Sequence, residues 1–468
     1  MKIYSITWAA INYSAQIKQS IYMKSISRTR FTLSFCVLFA AFYISGCTAG
    51  KQIGQSVLSA PSLQTAHIGI SIYDAGSQKY LYNYQGDKYF IPASNIKIPT
   101  CYAAMKYLGD SLVAFLFAEN DTAIYIQPTG DPTLLLSEFK KQPGIEFLQK
   151  TQKRVFINNN SWQERPWGSG WAWNDYDESY MAERSSFPVY GNVLKWTQSQ
   201  TVDGETGDKG VSVYSDPFVF WEVNFDTDTS NNAFSVSRKI DSNVFTIYQG
   251  KEKLKEISVP FVANGVKSAL EILIDTIGRP INEIDQFPSF NKPYTAVHSQ
   301  PLDSLLAPMM HRSDNFFAEQ SLLMVSNARL GIMNDAKIID TLLKTDFKAL
   351  PQKPRWVDGS GLSRYNLFTP QDMVAILNLM QQEFGMKRIK IIFPTGGEGT
   401  ISSYYKADSG YIYAKTGTLS GVVALSGFIE TKKGRNLIFS VLVNNHQSSA
   451  TEVRRAVEKF LQEVRSKY

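Results

Sequence analysis

The sequence predicts an α/β fold in which strands from both ends of the chain build one antiparallel sheet, flanked by helices and interrupted by a large insertion. Three observations predict it: strand patterns near the start and again near the end, helical periodicity before the last strands, and an irregular stretch between. His67 to Tyr73 and Lys79 to Tyr84 are rich in alternating, β-branched and aromatic residues, with Asp74-Ala75-Gly76-Ser77 as the turn. A helix follows Pro92-Ala93-Ser94. From 119 to 292 the chain is rich in Asn, Gly, Pro and aromatics, with short strand candidates at Ala123–Gln127 and Arg154–Asn158. Helical periodicity takes over at Leu302–His311, Asn315–Leu330 and Asp335–Leu343, and Pro370-Gln371-Asp372 opens a helix over Met373–Phe384. Strands return at Tyr411–Lys415, Val422–Glu430 and Asn436–Asn444, and the amphipathic helix Glu452–Arg465 closes the chain. The expected division is a split domain of 67–118 and 293–468, with one or two smaller domains inserted at 119–292.

The N-terminus accounts for the charge. The formal net charge of +6 invites a nucleic-acid or polyanion reading. Residues 1–46, however, carry Lys2, Lys18, Lys24, Arg28 and Arg30 with no acid, leaving 43 basic against 42 acidic residues beyond them. The basic balance belongs to a leader, so binding of nucleic acid has no support. From Met23, a candidate true start, a basic stretch precedes the 14-residue run Phe31–Ile44 and a small-residue exit at Ser45-Gly46-Cys47. That is an export signal, too short to span a bilayer, which needs about 20 residues. Ile44-Ser45-Gly46-Cys47 resembles a bacterial lipobox, which implies lipidation of Cys47, a tether over 47–66 and an exported protein held to the membrane through its lipid alone. Cys36 falls in the leader, so Cys101 is left without a disulfide partner. His67, His298, His311 and His446 show no paired spacing, so neither a metal nor a cofactor is expected.

Three short motifs carry chemistry: Ser94-Asn95-Ile96-Lys97, Ser313-Asp314-Asn315 and Lys415-Thr416-Gly417. The first pattern recurs at Ser137, Ser289 and Ser403, and S-x-N recurs at Ser230 and Ser289, so context must discriminate. Ser94 stands at an expected helix start, where free N–H groups and the dipole favour developing negative charge. Lys97 lies three residues on, on the same helical face. A serine hydroxyl becomes a nucleophile when a base takes its proton, and a buried lysine near other cations can be that base. Ser313 and Asn315, at a loop-to-helix junction, can relay a proton and orient Lys97. Lys415 and Thr416 end a strand whose edge can pair with a peptide while their side chains hold a carboxylate, and Gly417 admits close backbone approach.

These motifs are shared by class A β-lactamases and penicillin-binding proteins. The runs Tyr89 to Lys97, Gly130-Asp131-Pro132-Thr133-Leu134, Ser299-Gln300-Pro301-Leu302, Asp358-Gly359-Ser360-Gly361-Leu362-Ser363 and Ala414 to Leu419 resemble D-alanyl-D-alanine carboxypeptidases/endopeptidases of the penicillin-binding protein 4 type. The resemblance spans roughly 67–447, and the 215 residues between Lys97 and Ser313 fit a family with inserted domains better than a class A β-lactamase. It implies a β-lactamase/transpeptidase-like domain with a helical subdomain, a peptidoglycan stem-peptide substrate and inhibition by β-lactams. It also implies roles: Ser94 as acylated nucleophile, Lys97 as base, Ser313 and Asn315 as proton relay and orienter, and Lys415 and Thr416 as carboxylate holders. The N–H groups of Ser94 and Thr418 would form the oxyanion hole. Two other classes fit the same motifs: a β-lactamase, and a β-lactam-sensing or structural protein without turnover.

Other residues have a functional and a plain reading. Asp131 either attracts the free amine of a diaminopimelate side chain or is a turn aspartate before Pro132. Trp162, Trp167, Trp171 and Trp173 either stack on glycan or pack within the insertion. Cys101 reads as a small buried side chain. Ser360 lacks the spacing of a nucleophile elbow, and Gly396-Gly397-Glu398-Gly399 lacks a P-loop ending. Pro99 falls in the first turns of the Ser94 helix, where its missing N–H is expected to strand the Asn95 carbonyl and bend the helix.

Overall fold

Strand pairing brings the two ends of the chain together. The computed structural model describes residues 54–202, 209–226 and 233–468. The export signal, Cys36 and the lipidation candidate Cys47 lie outside the described residues. Residues 54–58 form a short helical turn, and Ala60–Tyr468 is a separate compact unit. That unit runs β1 (His67–Asp74), β2 (Lys79–Tyr84), α1 (Lys97–Tyr107), β3 (Ser111–Glu119), β4 (Ala123–Pro128), α2 (Pro143–Lys150) and β5 (Arg154–Ile157). Next come β6 (Val193–Val202), β7 (Lys209–Asp216), β8 (Val223–Asp226), β9 (Ser235–Arg238), β10 (Phe245–Tyr248), β11 (Leu254–Pro260), α3 (Lys267–Ile277) and β12 (Ile281–Glu283). The last part holds β13 (Thr295–Pro301), α4 (Leu302–His311), α5 (Asn315–Leu330), α6 (Asp335–Lys344) and α7 (Pro370–Ile392), then β14 (Ile412–Leu419), β15 (Val422–Glu430), β16 (Asn436–Asn444) and α8 (Ala450–Lys467).

The main sheet has the order β14-β15-β16-β1-β2, antiparallel throughout, with Ile70 opposite Val441 and Lys415 opposite Ser426. Helix α7 packs on β16 and β1, and α8 packs on β15. Between sheet and helices a continuous apolar cluster includes Leu305, Leu306, Met309, Phe317, Leu322, Leu377 and Ile438. Each such side chain contributes roughly 1.5–3 kcal/mol by burial. Helix α7 begins on a capping box: Thr369 Oγ1 accepts from Asp372 N at 3.0 Å, and Thr369 N donates to Asp372 Oδ2 at 3.1 Å. The expected end at Phe384 is a break and not a stop. Gly385 leaves helical geometry at φ 72°, and the helix resumes to Ile392.

The irregular middle turns out to be rich in strands. It holds a mixed sheet of order β12-β5-β4-β3-β13 and two three-stranded sheets, β11-β6-β7 and β8-β10-β9. Their polar sequences hide this. Gln198 in β6 is buried, yet its amide is satisfied by the Gly250 backbone at 2.9 and 3.2 Å. A second apolar cluster, with Phe115, Ile126, Trp196, Phe245 and Phe261, holds this region together. Both β3 and β13 pair here and not with the main sheet, although residues 111–118 and 293–301 read as ends of the flanking segments.

Candidate active site

The chain enters the site through a single 3₁₀ turn, Ala93–Ile96, and α1 starts only at Lys97. This corrects the expectation about Pro99. The proline occupies the third position of α1, where N–H groups have no acceptor within the helix anyway. The Asn95 carbonyl is not stranded, since the Lys97 N–H reaches the carbonyls of Ser94 and Asn95. Ala93 has φ 47°, a left-handed conformation that costs a residue with a Cβ about 1–2 kcal/mol. Neighbouring segments fix it there. Ile91 exchanges two hydrogen bonds with the Asn444 amide of β16, at 2.8 and 3.0 Å, and Asn95 Nδ2 donates to Lys415 O at 2.9 Å. Two glycines allow the close approach. A Cβ on Gly361 would lie 2.0 Å from Ala93 O, and one on Gly417 would lie 2.7 Å from Pro92 O. Each would also come within 3.0 Å of Ser94 N.

All three motifs converge on two buried lysines. Lys97 Nζ lies 3.0 Å from Ser94 Oγ, 2.6 Å from Asn315 Oδ1 and 2.7 Å from Ser360 O. Lys415 Nζ lies 2.8 Å from Ser313 Oγ and 2.8 Å from Thr416 O. Both ammonium groups are fully buried. Burial pushes Lys97 down to about 8, against the carboxylates of Asp358, Glu319 and Asp314, which pull it up. Lys415 is driven well below the ordinary lysine range, first by burial and then by Lys97 beside it. Ser313 sits between α4 and α5 at φ 63°, and Asp314 caps α5 by accepting from Phe317 N at 3.0 Å. That cap places Asn315 at the first helical position, where its amide reaches back to Lys97 and its Nδ2 donates to Tyr180 O at 3.1 Å. Strand β14 is the edge of the main sheet. Its start is covered by a bridge from Thr395 to Tyr413, and its Gly417 end faces the Ser94 turn.

Of the remaining expected residues, Thr416 Oγ1 donates to Thr400 Oγ1 at 2.7 Å, and Thr418 Oγ1 accepts from Arg454 Nη2 at 2.6 Å. Asp131 is the exception. Its carboxylate is 1% exposed and accepts from Thr133 N at 2.9 Å, from Thr133 Oγ1 at 2.7 Å and from Ser299 Oγ. Oδ1 is thus engaged by Thr133 within the turn and Oδ2 by Ser299 of β13. Cys101 is buried as expected, and burial pushes its thiol up. The tryptophans divide: Trp171 donates to Asp358 Oδ2 at 3.0 Å, while Trp173 is 73% exposed.

Sequence reasoning missed Asp358, Glu319, Arg184 and Thr400. Asp358 accepts from Gly361 N at 2.9 Å and Ser363 N at 2.6 Å, folding the loop that clamps Ser94. Its run carried the family resemblance but no stated role. Glu319, one helical turn beyond Asn315, was legible by spacing. Arg184 lies in a loop and Thr400 in a short 3₁₀ turn, with no pattern to mark either.

A family model described as the D-Ala-D-Ala carboxypeptidase 3 (S13) family matches residues 50–464. Among curated proteins, the chain is 25% identical over 488 residues to the D-alanyl-D-alanine carboxypeptidase DacB of Haemophilus influenzae, covering 95% of this chain and 99% of that one. It is 24% identical over 441 residues to a D-alanyl-D-alanine carboxypeptidase of Actinomadura sp. (strain R39), covering 84% and 81%. Among solved structures, penicillin binding protein 4 of Haemophilus influenzae superposes with a TM-score of 0.67 at 20% identity, covering 88% of this chain and 98% of that chain. The same protein complexed with a β-lactam superposes at 0.63. The fold is therefore that of the penicillin-binding protein, with the main sheet, its helices and the strand-rich middle together. With the match running over nearly all of Ala60–Tyr468, the chain belongs to the D-Ala-D-Ala carboxypeptidase 3 (S13) family.

Proposed function

We propose that this D-Ala-D-Ala carboxypeptidase cleaves the terminal bond of peptidoglycan stem peptides, and the corresponding bond of cross-links, through an acyl-enzyme on Ser94. One observation carries the reading: Lys97 Nζ stands 3.0 Å from Ser94 Oγ while two carbonyl-type oxygens, Asn315 Oδ1 and Ser360 O, take its other contacts. A neutral amine has two N–H donors and one lone pair. With the donors engaged by those two oxygens, the lone pair is left for the Ser94 O–H. Ser94 Oγ then attacks the D-Ala–D-Ala carbonyl. The oxyanion would sit at the N–H groups of Ser94 and Thr418, each such donor being worth about 3 kcal/mol of barrier. Lys415 and Thr416 would hold the terminal carboxylate, and Ser313, bonded to Lys415, would pass the proton to the leaving amine. Water releases the acyl group. A β-lactam acylates Ser94 in the same way, but its ring-opened leaving group stays attached and hydrolysis stalls.

The direct test is incubation with a stem pentapeptide and with a cross-linked dimer. Release of D-Ala from the pentapeptide is expected, and cleavage of the dimer reports the endopeptidase activity. Release from neither would leave a sensor, and rapid repeated hydrolysis of a β-lactam would make the protein a β-lactamase. We further place the protein outside the cytoplasm, held by lipid on Cys47 after removal of 1–46, with the catalytic segments split by the insertion. The pairing of β3 and β13 with the middle strands supports joins near Ser111 and Pro301. Metabolic labelling with a palmitate analogue is expected to mark the wild type and to be lost in Cys47→Ser. Undiminished label in that variant would overturn the anchor.

A further inference from the structure

We propose that Glu319, gripped by Arg184, is a positioning residue for Lys97: it fixes the backbone that receives the Lys97 amine, and its charge sets the pH above which Lys97 works as a base. The inference rests on the reading of Ser94 and Lys97 given above. Lys97 is held by two successive peptide units of the 358–363 loop and by α5. In the first unit, Gly359 O accepts from Thr100 Oγ1 at 2.7 Å, and Ser360 N–H donates to Glu319 Oε1 at 2.7 Å. In the second, Ser360 O receives Lys97 Nζ at 2.7 Å, and Gly361 N–H donates to Asp358 Oδ1 at 2.9 Å. Helix α5 thus reaches Lys97 twice, directly through Asn315 and one turn later through Glu319 and Ser360.

The other oxygen of Glu319 faces Arg184 from the strand-rich middle, with Nη1 3.3 Å from Glu319 Oε2 and 2.7 Å from Asp335 Oδ2. The same guanidinium meets Glu164 Oε1 at 3.4 Å and stacks over Trp171, whose indole donates to Asp358. Both Arg184 and Glu319 are 1% exposed. A carboxyl so deeply buried, if needed only for packing, would do as well neutral. Here one oxygen accepts from the Ser360 N–H and the other meets the Arg184 guanidinium, an arrangement that favours a carboxylate. Burial raises it to about 7 and Asp358 adds to the rise, while Arg184 and the Ser360 N–H oppose it. The charged groups facing Lys97 are Asp358, Glu319 and Asp314, which favour its ammonium, and Lys415, which disfavours it.

The sign follows. Removing the Glu319 charge lowers the pKa of Lys97, so the free amine forms at lower pH. The experiment is the second-order rate of Ser94 acylation by a fluorescent penicillin, followed from the acidic limb to the plateau in the purified protein. Glu319→Gln is expected to move the acidic limb down by about 0.5–1 pH unit and to lower the plateau roughly tenfold as the loop loosens. Glu319→Asp keeps the charge but shortens the reach, so its limb stays in place while its plateau falls. An unmoved limb in a folded Glu319→Gln protein overturns the inference. If melting shows that this variant does not fold, Glu319→Asp decides, and a plateau within about twofold of wild type overturns it. A wild-type protein that takes no label at Ser94 would instead overturn the reading of the site itself.

Discussion

Ser94→Ala is expected to take no covalent label from a fluorescent penicillin and to release D-Ala at least about 10⁴-fold more slowly than wild type, with its melting temperature nearly unchanged. The size of the effect follows from the chemistry, because no acyl-enzyme can form without an oxygen at that position. The stability expectation follows from the packing. The serine hydroxyl is linked to Lys97, whereas Asn444, Asn95 and the two glycines fix the turn through backbone contacts. Two other hydroxyls make the test informative. Ser313 Oγ lies 2.8 Å from Lys415 Nζ, and Ser360 lies on the loop that holds Lys97. Ser360 is buried with its backbone engaged, so a variant that still takes up label would point to Ser313 and exchange the roles of the two lysines. Gel fluorescence with peptide mapping of the labelled serine distinguishes these outcomes.

How much of this was legible beforehand depended on whether a residue's partner lay within a pattern. The central strands β15 and β16 are near-continuous apolar runs buried on both faces, and they match their expected bounds residue for residue, as does β2. Helices α4 and α5 do the same, because their apolar spacing and the cap at Asp314 coincide. In the middle, β4 and β5 match the two strand candidates to within one residue, but β6 to β11 could not be read. Gln198 is buried through a hydrogen bond to a residue 52 positions away, and nothing in the local sequence announces such a partner. The site divides in the same way. Ser94, Lys97, Ser313, Asn315 and Lys415 were legible as motifs, and the fold brings Ser94 and Asn315 to Lys97 and Ser313 to Lys415 within hydrogen-bond distance. What holds them was not legible. Asp358 acts through backbone N–H groups, which every residue but proline has, and Arg184 acts on α5 from an unpatterned loop. Asp131 shows the converse: an acid beside a proline reads equally well as a ligand or as a turn, and in the structure it is buried on bonds to Thr133 and Ser299.

The second large effect concerns the base. Lys97 at about 8 is neutral in about a tenth of molecules at pH 7, against a few in ten thousand for a lysine at its ordinary value of 10.5. Since only the neutral amine can accept the Ser94 proton, the acylation rate is expected to climb about tenfold per pH unit on the acidic side and to level off above about pH 8. Lys415 bears on the same limb. Two buried ammonium groups so close disfavour each other, and a carboxylate arriving at Lys415 would hold the proton there and push Lys97 towards its neutral form. Lys97→Met fills the same volume without the base. Its acylation rate is expected to fall by about 10³–10⁴-fold and to lose the acidic limb, measured by penicillin labelling across pH. Its melting temperature is expected to rise, because a lysine buried at the expense of its charge is replaced by an apolar side chain. Opposite movements of rate and stability separate the loss of a base from the loss of a fold. A Lys97→Met protein that keeps wild-type acylation, or one that keeps its acidic limb, would remove Lys97 from the mechanism.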